Sequence, residues 1–529
     1  MSRLTGTGAL VRLVLRRDRV RIPVWILAQA ALTGSSAFAV QGLYDSVEKR
    51  AGYAASVGSS GASIAMSGPP VALDSLGGIT VFEVNTTATI TVALMALFLV
   101  VRHTRADEEA GRTELLRAGV MGRQADLAAV GIVVATASLV VGLLTAVLFL
   151  AAGLPASGSL LYGGVVAGVG LVFTGVGLVA AQVAEHGRAA IGLGLAVLGV
   201  GFVLRAAGDV SDSGLTWASP FGWGQGSRPF GDERVWPLAV PVLAALALAA
   251  LAGWLTTRRD IGGGLIPARP GSPVAGPLLG TPLGLAARLQ RTAVIGWCAG
   301  MGLMGVAFGS LGPDIEEMVA GNDELAEVFA ATGGGSIIDA FFSMVLMISA
   351  LVATGFTVSS ALRLRSEETA LRAEPVLATT VSRWQWALGS IAVTVTGTAL
   401  VLASAGLGAG LAFGVADSDA RHIPVLLAAS LLYLPAALLL GAVAVLLVGW
   451  VPRISGAVWG LLAVCVVIGW LGELLQLPQA VMDASPYTQT PQQPMAEQAW
   501  TPVALIVLVA LGLAGAGLVG LRRRDLATG

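Results

Sequence analysis

Arg105, Asp107, Glu108, Glu109, Arg112 and Glu114 stand close together in the string "RADEEAGRTELLRAG", in a chain of 529 residues of which only 12% are charged. Spaced on a helix, Arg105 reaches Glu108 and Glu109, and Glu108 reaches Arg112, a self-paired ladder whose pairs contribute only about 0.2–0.5 kcal/mol each. A second string, "RSEETALRAEPVLAT", sets out Arg365, Glu367, Glu368, Arg372 and Glu374 in the same order. Stability is a weak reason to place scarce charge this way twice. Arginines that only fix membrane topology need no acids beside them, so both strings read as surfaces on which a charged soluble partner docks. Pro375 stands where the first copy has Leu115, and Thr369 where it has Glu109, so the two surfaces are expected to differ.

Other chemistry is excluded by residue type. A phosphate-binding loop of the form G-x-x-x-x-G-K-[ST] needs a lysine before Ser or Thr, and the single lysine, Lys49, precedes Arg50. His103, His186 and His422 are scattered without metal-ligand spacing. Cys298 and Cys465 lie in apolar stretches and read as small hydrophobes rather than a disulfide. No Ser, His and Asp are arranged for nucleophilic catalysis. The expectation is a chain that is not an enzyme and carries no metal or cofactor of its own, and a net charge of -1 argues against a nucleic-acid partner.

The elements that must position these strings are membrane spans. Mean hydropathy is +0.81, and a helix needs about 20 apolar residues to cross a bilayer. Twelve stretches qualify, near 22–42, 79–101, 127–152, 159–183, 190–207, 236–256, 291–311, 339–362, 387–414, 422–449, 456–476 and 501–521. The chain therefore reads as an all-α polytopic membrane protein in a lipid bilayer. Most of its 31 basic residues fall in alternate connecting segments, which predicts a multi-pass protein with both termini cytoplasmic. In "GALVRLVLRRDRVRIPVW", Leu10, Leu13, Val14 and Val20 alternate with arginines, the pattern of a helix lying on the inner surface. It recurs at Leu285–Arg291.

The halves repeat. Arg16, Arg19 and Trp25 return as Arg288, Arg291 and Trp297; Arg105, Glu108 and Arg112 as Arg365, Glu368 and Arg372; Ser219-Pro220 as Ser485-Pro486; and "RRD" at Arg258 as "RRD" at Arg523. The simplest account is two fused six-helix repeats: residues 1–256 as a first transmembrane domain with a surface helix and six spans, 257–287 as a Gly/Pro-rich cytoplasmic linker, and 288–529 as a second such domain. Polar residues within spans are costly and mark function. Phe82, Glu83, Asn85 and Thr86 in the outer part of the second span, with Phe341, Phe342 and Ser343 in its repeat partner, are candidates for a substrate pathway. Arg205 and Asp209, one turn apart in the fifth span, read as an ion pair, with Glu473 placed comparably in the eleventh.

The fused six-plus-six plan, "RHTRADEEAGRTELLRAGVMGR", "SPFGW", "RRDIGGGLIPARPG" and "ASPYTQTPQQP" together resemble the large actinobacterial ABC-2 type exporter permeases, the polyketide-antibiotic or tetronasin exporter group. The resemblance spans the chain. It implies the type V ABC exporter fold, with the charged strings as coupling helices, Arg102–Arg123 and Arg363–Arg383, that contact a cytosolic ABC ATPase present as a homodimer and binding ATP and Mg. It also implies that Ser219, Pro220, Phe221 and Trp223, with Ser485, Pro486 and Tyr487, belong to a re-entrant element at an outer gate. The function implied is export of hydrophobic or amphipathic small molecules such as antibiotics, drugs or lipids across a bacterial cell membrane. A twelve-helix proton-coupled secondary exporter shares the parallel repeat but wants ionisable residues at mid-membrane, and these spans are nearly free of them. A membrane scaffold that transports nothing fits the duplicated strings less well.

Overall fold

The computed structural model describes residues 2–58, 60–117, 119–260, 262–266, 273–312, 337–471, 478–494 and 500–525. Among these, every regular element is a helix. The reason is the solvent: hydrocarbon offers the backbone no hydrogen-bond partners, so a crossing segment must satisfy its own. Twelve helices are long and apolar enough to cross a bilayer, and the chain divides into two compact units, Met1–Gly271 and Ser272–Gly529.

The first unit comprises α1 (Thr7–Arg17), α2 (Arg21–Leu43), α3 (Val47–Val57), α4 (Gly61–Ser67), α5 (Leu76–His103), α6 (Arg105–Glu109), α7 (Arg112–Arg117), α8 (Ala125–Ala151), α9 (Ala156–Val183), α10 (Gly187–Val210), α11 (Pro220–Gln225) and α12 (Ala239–Leu255). The spans α5 and α9 form its centre, with most of their side chains buried. Helices in lipid gain no hydrophobic drive toward one another, so close van der Waals contact between small residues must hold them. At the crossing of α8 and α9 a methyl group on Gly163 would come within 2.5 Å of the Gly142 carbonyl oxygen. Only glycine permits that approach. The surface helix α1 buries Leu10 against Ala125 and Ala129 at the start of α8.

The second unit comprises α13 (Pro282–Gly309), α14 (Ile337–Ala361), α15 (Arg363–Thr369), α16 (Ala373–Leu377), α17 (Arg383–Ala416), α18 (His422–Leu431), α19 (Leu434–Trp450), α20 (Val458–Leu471), α21 (Gln479–Met482) and α22 (Trp500–Arg523). Its core gathers α14, α17 and α19 around Phe342, Phe356, Leu402, Tyr433 and Tyr487. Here α13 and α17 meet closely: a Cβ on Gly305 would lie 2.2 Å from the Ala405 carbonyl oxygen, and one on Gly408 2.2 Å from that of Gly302.

Two sequence expectations are corrected. The second surface helix, expected at Leu285–Arg291, is instead the beginning of α13, a single helix capped by Thr281 and started by Pro282. Residues 282–287 accordingly belong to a span rather than to a linker. The difference lies at one repeat position. In the first unit the chain leaves the helix at Asp18, whose buried carboxylate accepts from His103 Nε2 at 2.7 Å and Arg102 Nε at 3.2 Å. The second unit has Gln290 there, a neutral amide that accepts from Ser360 Oγ at 2.6 Å without leaving the helix. The tenth span stands as expected, His422–Trp450, although its helix is interrupted between α18 and α19 ahead of Pro435, whose ring nitrogen has no proton to continue the ladder. The second correction concerns the charge ladder itself.

Candidate functional site

The first charged string folds as two short helices, not one. Thr104, with φ -115° and ψ -88°, ends α5, and Gly111, at φ +68°, separates α6 from α7. That break moves every partner expected beyond Arg105. Arg105 does pair with Glu108, at 2.8 Å, but Arg112 donates to Asp107 at 2.9 Å instead of to Glu108. Glu109 turns away and accepts from the Gly187 backbone N–H at 2.6 Å, at the N-terminus of α10, where the helix dipole favours a carboxylate.

The buried members are held by residues distant in sequence. Arg17, the last residue of α1, donates to both Asp107 oxygens, at 2.5 and 3.0 Å. The hydrogen bond to that carboxylate raises the Arg17 pKa against the lowering effect of burial. Glu108 accepts two bonds from Arg259, at 2.6 and 3.0 Å. Arg259 Nε reaches Gln182 Oε1 at 2.7 Å, at the end of α9. Arg105 itself is 1% exposed and donates to the carbonyls of Ala181 and Gly263, at 2.7 and 2.6 Å. The glycines of "RRDIGGGLIP" explain this route: a Cβ on Gly264 would lie 2.5 Å from the Glu185 nitrogen, so only glycine lets the strand of chain pass beneath α9 and offer its carbonyls.

The second unit repeats the arrangement. Arg365 pairs with Glu368 at 3.2 Å, and Glu368 accepts both terminal nitrogens of Arg524, at 2.5 and 2.7 Å. Arg372 takes Glu367, at 2.9 and 3.3 Å, as Arg112 takes Asp107. This bond raises the Arg372 pKa. The break between α15 and α16 falls at Leu371, which adopts φ +57° where the first unit has glycine. Among the described residues of these turns, Ala106, Glu109, Ala110, Arg112 and Glu114 face outward in one unit, and Ser366, Thr369, Ala370, Leu371, Arg372, Glu374 and Pro375 in the other.

At the opposite end of the spans, the Ser-Pro pairs start short inward turns. Ser219 Oγ accepts from the Phe221 N–H at 3.2 Å, and Ser485 Oγ from the Tyr487 N–H at 3.4 Å. Pro220 is the first residue of α11. The residue so aimed enters its own unit's core: Phe221 lies 5.7 Å from Phe173 of α9, and Tyr487 lies 6.5 Å from Tyr433 beside α19, ring centre to ring centre. Tyr487 is wholly buried, and its hydroxyl meets Thr354 Oγ1 at 2.5 Å. Trp223 stays at the rim, with Nε1 donating to the Trp217 carbonyl at 2.7 Å. Pro486 is buried beside Tyr487.

The pathway candidates divide by face. Phe82 and Asn85 are buried in the first unit, and Asn85 and Thr86 bond the carbonyls of Ser67 and Met66 at the end of α4. Phe342 and Ser343 are buried in the second, where Phe342 packs on Phe413 and Ser343 donates to the Gln492 carbonyl at 3.0 Å. Glu83 is exposed, accepts from the Tyr53 hydroxyl, and begins a stripe along α5 that its own unit leaves uncovered or half-covered: Glu83, Thr87, Thr91, Leu94 and Phe98. Phe341, Met344, Ile348, Val352 and Ser359 form the corresponding stripe on α14. Arg205 and Asp209 pair at 3.6 Å, both buried, with Asp209 also accepting from Thr216. Glu473 lies outside the described residues.

Sequence reasoning missed the partners rather than the motif. It treated Arg17, Arg259 and Arg524 as topology markers, although the repetition of "RRD" at the end of each half was the available signal. Asp417, Asp419 and His422 also come together in space, but Asp419 is already committed to Arg421 and Asp417 to His422.

Residues 279–522 match the family model described as the C-terminal domain of the multidrug efflux system permease Rv1217c. Over 527 residues, 99% of this chain and 96% of the other, the sequence is 37% identical to the multidrug efflux system permease protein Rv1217c of Mycobacterium tuberculosis (strain ATCC 25618 / H37Rv). The similarity runs almost end to end across both units, so the chain belongs to the family of the multidrug efflux system permease Rv1217c.

Proposed function

We propose that this chain is the membrane permease of an ATP-driven exporter, carrying hydrophobic or amphipathic drug-like molecules out of a bacterial cell. The observation that carries the reading is the duplicated charged turn, held in the same internal clamp at the same end of each six-helix unit. In this reading the arginine-rich end and both termini are cytoplasmic, and the fold is of the type V, ABC-2 kind. A homodimer of a separate ABC ATPase, which holds ATP and Mg, docks on α6–α7 and α15–α16. The outward residues Glu109, Arg112 and Glu114, and Arg372 and Glu374, make the contact; Glu108 and Glu368 face inward and shape the surface from behind.

Closure of the ATPase dimer displaces these turns, and the units respond by a two-state rocking motion. In each unit the uncovered stripe, on α5 or on α14, offers hydroxyls and large apolar groups, with the Glu83 carboxylate on α5, to suit an amphipathic molecule. The buried aromatics Phe221 and Tyr487 anchor the outer turns that close the pathway.

The test is co-purification of the permease with its ATPase, combined with drug efflux from cells. Glu114→Arg together with Glu374→Arg should weaken both while leaving the permease folded. Efflux that survives ATP depletion but stops when the proton gradient is collapsed would overturn the reading in favour of secondary transport.

A further inference from the structure

The charged turns are joined to the body of each unit in two ways of unequal stiffness. Along the backbone, α6 follows α5 only through Thr104, a residue outside helical geometry that transmits little torque, whereas α15 follows α14 through Leu362, whose φ -67° and ψ -11° stay close to the helix and make the stiffer joint of the two. The second connection is a bidentate arginine–carboxylate pair, which fixes orientation as well as distance. Glu108 takes Arg259, four residues beyond the end of α12, and Glu368 takes Arg524, directly beyond α22. Three of the four side chains are under 10% exposed and Arg524 is 16% exposed, so water does little to screen either pair. Removing one partner would strand a buried charge, which ties the turn and the end of the last span into one body. In the first unit the same arginine also holds Gln182 at the end of α9.

We infer that Arg259 and Arg524 are positioning residues that make the last span of each unit move with its docking turn. The inference rests on the docking reading for its functional consequence, but not for the clamp itself. A displacement of α6 or α15 then reaches the bundle through α12 or α22, not only through α5 or α14. The arrangement occurs twice, on residues in matching repeat positions.

The experiment uses the full chain in nanodiscs, with the two native cysteines replaced and spin labels placed at exposed pairs: Ala106 with Leu251 in the first unit, and Ser366 with Val519 in the second. Each wild-type distance distribution should be narrow. Arg259→Ala and Arg524→Ala should broaden their own unit's distribution only, and Arg259→Lys and Arg524→Lys, which keep a cation against Glu108 and Glu368, should broaden it less. Distributions unchanged in both alanine variants overturn the inference. Arg524→Ala guards against a folding defect, since Arg524 lies past the last turn of its span. With the ATPase bound, drug moved per ATP hydrolysed should fall roughly twofold to thirtyfold in the alanine variants, the range for a residue along a coupling route. Co-purification should persist. A wild-type chain that binds no ATPase refutes the docking reading alone, and the distance distributions then settle the clamp.

Discussion

Tyr487 offers a quantitative test of the inward turn after the eleventh span. Its ring is fully buried against Tyr433, and its hydroxyl meets Thr354 Oγ1, which in turn donates to the Ala350 carbonyl at 2.7 Å. Truncation to alanine empties a large aromatic site and should cost about 3–5 kcal/mol. Tyr487→Phe leaves Thr354 its own bond to Ala350, so it forfeits only one net hydrogen bond, about 0.5–1.5 kcal/mol. Thr354→Val strands the buried phenol and should cost more, about 1–3 kcal/mol. The double variant Thr354→Val/Tyr487→Phe removes both partners and should cost less than the sum. Reversible unfolding in mixed micelles, followed by tryptophan fluorescence, measures all four. The reasoning fails if Tyr487→Ala is neutral, or if the two conservative changes add. Phenylalanine stands at the matching position, Phe221, with Phe173 in place of Tyr433, which is why Tyr487→Phe should keep drug efflux near normal.

Three further outcomes follow from the geometry. Leu371→Gly should stabilise the second unit by about 1 kcal/mol, because leucine at φ +57° carries a left-handed penalty that glycine escapes; unfolding midpoints compare it with wild type. Gly163→Leu should prevent α8 and α9 from meeting at Gly142, seen as loss of folded protein on size-exclusion chromatography. Asp419, held at a pKa of about 2 chiefly by its hydrogen bond to Arg421, lies below its unfolded value; its contribution is therefore present above that unfolded value and is lost as pH falls through about 2. Arg421→Ala should remove this acid-range dependence together with the small stabilisation it supplies at neutral pH, so that variant and wild type converge only as pH falls to about 2.

Much of the architecture is readable from local pattern. Span number and approximate extent follow from apolar length, because hydrocarbon accepts only self-satisfied helices of sufficient reach. Two departures turn on single positions: Gln290 in place of Asp18 joined a surface helix to a span, and Pro435 interrupts the helix within the tenth span. Neither changes mean hydropathy enough to announce itself. The division of the pathway candidates was equally hidden, since Phe82 and Glu83 are neighbours in sequence but lie on opposite faces of α5.

The sequence alone determined that the protein crosses a membrane twelve times as two related units, and that each unit carries one charge-rich turn, because hydropathy and repetition are properties of short stretches. Only the tertiary structure decided which charges meet. Breaks at Gly111 and Leu371 turn Arg112 and Arg372 away from Glu108 and Glu368 and onto Asp107 and Glu367, and the arginines that capture Glu108 and Glu368 arrive from 151 and 156 residues away. Partner choice among buried charges depends on where distant chain ends are brought, and spacing along one helix carries no record of that.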